Sequence, residues 1–151
     1  MQGGELVDRI EKAIAEKGIY AGKTVGNSMN PMLVEGRDTV LIKKAEFPLK
    51  KNDIPVYRRL NHYTMHRIIK VTKDGKYIIN GDNRPDLERD ITDKDIVGVL
   101  AAFYHNGEYI ECGSEKDLYY AKRARRTYPI RFAKSIFRRL KAKIKKIFKK
   151  Q

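Results

Sequence analysis

The chain has 151 residues, 41% hydrophobic and 34% charged, with 33 Lys and Arg against 19 Asp and Glu for a formal net charge of +14. That length carries one domain with a real hydrophobic core and leaves no room for two large ones. The single cysteine, Cys112, excludes an internal disulfide framework, and with three scattered histidines it excludes a cysteine-rich zinc site, so no cofactor is expected.

Residues 5–17 read as an amphipathic helix. Leu6, Val7, Ile10, Ala13 and Ile14 recur at helical spacing, and Gly18 stands where a C-terminal cap belongs. The acids in this segment do not suit a secretion signal, and no run of 18 apolar residues suits a spanning helix. The expectation is a soluble or surface-bound intracellular chain. Short β-rich runs follow at 39–42, 54–57, 63–71, 77–80, 96–104 and 109–112. Asp74-Gly75, Gly81-Asp82-Asn83 and Asn106-Gly107 separate several of them as turns, the last a strong hairpin signal. Pro55 suits an edge strand or a strand's first residue. Many short strands without alternating helices predict a mainly β fold: a small antiparallel β-body with an N-terminal helix and a C-terminal helical tail.

Helix returns after Gly113, where Ser114 and Asp117 are spaced like a capping box. The pattern predicts about a dozen helical residues, a break at Pro129, and a new helix beginning there. The division expected is a body over 1–113 and a cationic tail over 114–151. From Leu118 onward there are 14 Lys and Arg and no acid, while the preceding residues balance 19 basic against 19 acidic side chains. At helical spacing Ile130, Ala133, Ile136, Phe137, Leu140, Ile144, Ile147 and Phe148 share one face. Arg131, Lys134, Arg138, Lys141, Lys145, Lys146 and Lys149 lie largely opposite, with Phe132 and Lys143 at the boundary. Such a helix suits the plane of an anionic membrane surface. Packing of the stripe on the protein's own body is the main competing expectation. A nucleic acid is disfavoured as partner, because phosphate binding needs no apolar stripe.

The stretch that carries chemistry is a series of short boxes. It runs Gly26-Asn27-Ser28-Met29-Asn30-Pro31-Met32, then Gly36-Arg37-Asp38-Thr39-Val40, then Asn52-Asp53-Ile54-Pro55-Val56. Met65-His66-Arg67-Ile68 and Gly81-Asp82-Asn83 complete it. Each box alone is weak, but the order and spacing over roughly residues 24–100 are not. The series resembles the type I signal peptidase family of serine peptidases and, more distantly, the self-cleaving repressor proteases of the same fold. The resemblance implies Ser28 as nucleophile and His66 as base, similar to the Ser-His branch of archaeal and endoplasmic-reticulum enzymes rather than the bacterial Ser-Lys branch. Asp82 is the nearest match for the orienting acid, with Asp90 and Asp86 as alternatives because the spacing fits none cleanly. A serine two residues before the nucleophile, an oxyanion donor in bacterial members, is replaced by Gly26. The oxyanion hole is therefore expected from the Ser28 backbone N–H with Asn27 beside it. The family's N-terminal anchor is not evident.

This chemistry stands on its own terms. A serine hydroxyl needs a neighbour to take its proton, and imidazole suits that role near neutral pH. A carboxylate on the other ring nitrogen fixes the tautomer. Arg67 is expected to pair with a carboxylate of the 82–90 loop, Asp38 and Asp53 to serve structure, and His62 and His105 to be solvated. The resulting expectation is a serine endopeptidase that cleaves an extended peptide or leader segment. It would be cytoplasmic, held at the inner membrane surface by the basic tail. The alternative is a non-catalytic β-module of the same fold that binds peptide, membrane or nucleic acid.

Overall fold

The computed structural model describes residues 3–59 and 62–148, with side chains from Arg9 onward; Leu6, Val7 and Lys149 of the expected helical faces lie outside the described side chains. The fold is mainly β. Helix α1 (Gly3–Lys17) is followed by β1 (Ile19–Lys23), β2 (Thr39–Lys43), β3 (Pro55–Arg59), β4 (His62–Met65) and β5 (Arg67–Val71). Then come β6 (Tyr77–Asn80), β7 (Glu88–Ile91), β8 (Ile96–His105), β9 (Glu108–Glu111) and helix α2 (Glu115–Phe148). One antiparallel sheet runs β1-β2-β8-β3-β4, with β9 also on β8; the other is β5-β6-β7. The ten-residue β8 is the spine: β2 pairs with its Val99–Tyr104 stretch, while β3 and β9 share its other edge. Pro55 is the first residue of β3, and Asn106 and Gly107 take positive φ in the β8–β9 turn, both as the residue types require.

The outer strands β1 and β4 both touch α1 and both line one cavity, so the large sheet is strongly curled. Ile10 is buried and Ile14 packs against the main cluster of Met29, Met32, Leu33, Val40, Ile42, Val56, Leu100 and Phe103. A second cluster of Tyr57, Ile68, Tyr77 and Ile79 joins the two sheets.

The predicted strand over 63–71 is two strands in different sheets. The chain leaves the large sheet at Met65, passes His66 outside either strand, and enters the small one at Arg67. This junction buries Arg67 to 1% exposure among polar partners. Its guanidinium donates to Asp82 at 3.0 Å, to Asp117 Oδ1 at 2.9 Å, to the Asn52 carbonyl at 3.2 Å and to Met32 Sδ at 2.9 Å. Burial disfavours the charge, but the two carboxylates outweigh it and hold the guanidinium pKa above its ordinary value.

Asp38 does a similar job just past Met32. Its carboxylate accepts the Val34 and Asn106 N–H groups and the Arg37 guanidinium. Burial pushes its pKa up, but those hydrogen bonds hold it well below the usual carboxylate range. His105, expected to be solvated, instead ends β8 and sits half-buried, with Nδ1 2.8 Å from the Met32 carbonyl and 3.1 Å from Asp38 Oδ2. The turn that follows is held at the same carboxylate, the Asn106 N–H donating to Asp38 Oδ1 at 3.0 Å.

The largest departure is α2, one helix of 34 residues with Pro129 inside it rather than two helices. Proline removes one backbone hydrogen bond from a helix interior. Around it, Thr127 Oγ1 donates to the Arg123 carbonyl at 2.9 Å and Arg131 to the Ala124 carbonyl at 3.0 Å. The Ser114 hydroxyl accepts the Asp117 N–H at 3.4 Å, while the Asp117 carboxylate takes the Gly113 N–H and Arg67. Asp117, Ala121, Ala124 and Ser135 are buried, so α2 is built into the body from its first turn. Among the described residues no helix is long and apolar enough to cross a membrane.

Removing one partner of a buried ionic cluster strands the others. Arg67→Leu leaves Asp82 and Asp117 buried without their cation. Urea denaturation should show a loss of about 3–5 kcal/mol.

Candidate active site

Ser28 and His66 line the same cavity, of about 340 Å³. Its walls are largely apolar, from Ile10, Met29, Leu33, Val40, Ile42 and Val56, with the ends of β1 and β4 on its flanks. Ser28 is half-buried in the turn that follows Gly26, and Gly26 takes φ +80°, a conformation that favours glycine.

The Gly81-Asp82-Asn83 box explains how this turn meets the histidine. The Asn83 N–H donates to the Ser28 carbonyl at 2.8 Å, and its side-chain amide to the Asn27 carbonyl at 3.1 Å. A Cβ on Gly81 would lie 2.9 Å from the Ser28 carbonyl oxygen and 3.0 Å from His66 Cδ2. Glycine is thus needed where the Ser28 turn and the His66 ring converge. A trans peptide directs the Ser28 N–H away from the Asn27 carbonyl that the Asn83 side chain holds. Asn27 enters the site through that clamped carbonyl.

The ring's other edge is occupied. His66 Nδ1 lies 2.8 Å from Glu88 Oε1 and 3.1 Å from the Tyr57 hydroxyl, which itself donates to Glu88 Oε1 at 2.7 Å. Arg59 pairs with the second oxygen, Glu88 Oε2. With Nδ1 engaged by the carboxylate, Cδ2 on the other side of the ring meets Gly81, which also abuts the Ser28 carbonyl. Burial raises the Glu88 pKa, but the hydrogen bonds from His66 and Tyr57, with the charges of His66 and Arg59, outweigh it and hold the carboxyl at about 2. Burial first, and the Glu88 carboxylate second, push the Tyr57 hydroxyl well above its ordinary value. It stays protonated and acts as a donor to Glu88.

The acid at His66 is therefore Glu88, and none of the three aspartates singled out by sequence. Asp82 is buried against Arg67 at 3.0 Å. Asp86 is exposed and pairs with Arg139 at 2.6 Å. Asp90 takes φ +64° and turns outward to Lys76 at 3.3 Å. The motif places Asp82 near the histidine in sequence logic, but the neighbouring guanidinium claims its carboxylate. Glu88 lies on β7, whose sequence Glu-Arg-Asp-Ile has none of the apolar alternation that marks a strand. Its pairing with β6, which sets Glu88 opposite Ile79, is what makes it a strand and brings Glu88 to the histidine.

Cys112 does not compete as a nucleophile, since burial pushes its thiol up to about 12. Among the described residues no group of three or more His, Cys, Asp or Glu could hold a metal ion. Comparison of the sequence with protein-family models and with curated proteins finds no match. What the residues do must then be read from the geometry of the site.

A carboxyl more acidic in the folded state than its ordinary 4.5 stabilises the fold above that pH, and the contribution fades as pH falls toward about 2. Water at this partly exposed cluster screens it to about 1–2 kcal/mol. Unfolding free energies of wild type and Glu88→Gln, measured from pH 7 to pH 2, should differ by that amount at pH 7. The difference should shrink below pH 4.5.

Proposed function

We propose that this chain is a serine endopeptidase of signal-peptidase-like fold that works through Ser28, His66 and Glu88. One observation carries the reading. His66 is held through Nδ1 by a carboxylate at 2.8 Å, its Cδ2 meets Gly81 against the Ser28 carbonyl, and both Ser28 and His66 line one cavity. A carboxylate-oriented imidazole sharing a cavity with a serine supports acyl transfer through that serine.

The steps follow from the atoms. Nε2 takes the Ser28 proton as Oγ attacks the peptide carbonyl. Glu88 holds the Nδ1–H tautomer and stabilises the imidazolium that forms, assisted by the Tyr57 hydroxyl. The Ser28 backbone N–H, antiparallel to the Asn27 carbonyl that Asn83 holds, supplies the oxyanion donor. Imidazolium then protonates the leaving amine, and the acyl-enzyme is hydrolysed by water activated at the same ring. The substrate is an extended peptide. β1 pairs only with β2 and β4 only with β3 among the described residues, so the outer edge of each, beside the cavity, pairs with no further strand. A strand added there presents its scissile bond to Ser28 and its side chains to the apolar walls.

The test is cleavage of a degenerate peptide library by the full chain, read by mass spectrometry. Ser28→Ala and His66→Ala should each abolish turnover with unchanged circular dichroism. Glu88→Gln should cut kcat by about 10³–10⁴-fold through loss of the correct tautomer. Asp86→Asn and Asp90→Asn should stay within about twofold of wild type. Cleavage that survives Ser28→Ala, or that is indifferent to Glu88→Gln, would overturn the assignment. A wild type that binds peptides in the groove and cuts none would make the protein a binding module.

A further inference from the structure

The peptidase reading leaves the outer half of α2 without a role. The helix packs on the body through Asp117, Ala121, Ala124 and Ser135, with Arg131 donating to the Arg84 carbonyl and Arg139 paired with Asp86. At about 100° per residue these positions define one side of the helix, and the apolar stripe is centred roughly 160° away from it. The stripe of Ile130, Ile136, Phe137, Leu140, Ile144, Ile147 and Phe148 is accordingly exposed, from 42% at Ile136 to 73% at Phe148. A helix held only by its own protein buries its apolar face and shows its polar one. Here the orientation is reversed: small and charged residues face the body, and the large apolar ones face outward.

What covers the stripe can be argued from charge. Lys134, Lys141 and Lys145 border it on one side and Lys143 on the other, and from Leu118 onward the helix has no acid. A second copy seated stripe to stripe would bring two cationic flanks together with no carboxylate between them. A nucleic acid would satisfy the cations and leave the apolar residues in water. An anionic bilayer satisfies both, with headgroups for the lysines and the acyl boundary for Phe137, Leu140 and Ile144. We propose that the outer turns of α2, from Ile130 to Phe148, seat in the interface of an anionic lipid bilayer. The proposal does not rest on the peptidase reading and can fail independently of it.

The sequence has no tryptophan, so Phe137→Trp places a single reporter on the stripe. The full chain with this substitution is mixed with phosphatidylcholine vesicles, with and without phosphatidylglycerol. The indole emission should shift to the blue, and the protein should float, only with the anionic vesicles. Affinity should fall at least about tenfold in high salt. Adding Leu140→Glu and Ile144→Glu should abolish both effects while leaving the thermal unfolding midpoint unchanged, because both side chains are already exposed. An unshifted emission with anionic vesicles would overturn the proposal. So would a concentration-dependent dimer that buries the indole without lipid, or nucleic-acid binding with no response to vesicles.

Discussion

A single buried guanidinium ties this molecule together. Arg67 reaches Asp82 in the loop after β6, Asp117 in the first turn of α2, the Asn52 carbonyl ahead of β3 and the Met32 sulfur just past the Ser28 turn. Four segments distant in sequence are thereby fixed around one charge. The hydrophobic effect drives collapse without direction. A buried cation with two carboxylates is satisfied in few arrangements, and here the one adopted sets the loop that carries Asn83 beside the turn that carries Ser28.

The position next to Arg67 explains why the site forms where it does. His66 lies between strands of different sheets. Neighbouring side chains in extended backbone point to opposite sides. Arg67 enters the polar cluster, and His66 faces the cavity between the outer strands. Glu88 and Tyr57 approach from β7 and β3 to hold the imidazole from behind. The structural charge cluster and the proposed catalytic one are thus built back to back from adjacent residues. They keep separate carboxylates, Asp82 for one and Glu88 for the other.

Much of this was legible in the residues. The runs around 39–42, 77–80 and 96–104 are rich in β-branched and aromatic residues, and Asn106-Gly107 marks its hairpin without help from the rest of the chain. The pairing of Arg67 with a carboxylate of the 82–90 loop also follows from the impossibility of burying a lone guanidinium. β1 was not legible, because Ile-Tyr-Ala-Gly-Lys is diluted by Ala and Gly. Nor was β7, whose charged sequence is made a strand by its pairing with β6. Missing β7 meant missing Glu88, since proximity to His66 depends on a hairpin register and not on local pattern. Pro129 was read as a boundary because a helix interior ordinarily rejects it. The helix nevertheless continues through it, with Ala121 and Ala124 before it and Ser135 after it buried on the body. The amphipathic stripe was evident from spacing alone, but spacing could not say which way it faced.

That α2 is continuous has a spatial consequence. A helix of 34 residues is a rod of about 50 Å, and this one is anchored at its base by Asp117 and touches the body again through Arg131 and Arg139. Those last contacts fall on Arg84 and Asp86, so the rod that carries the apolar stripe runs past the same short segment that holds the Ser28 turn through Asn83 and leads into Glu88.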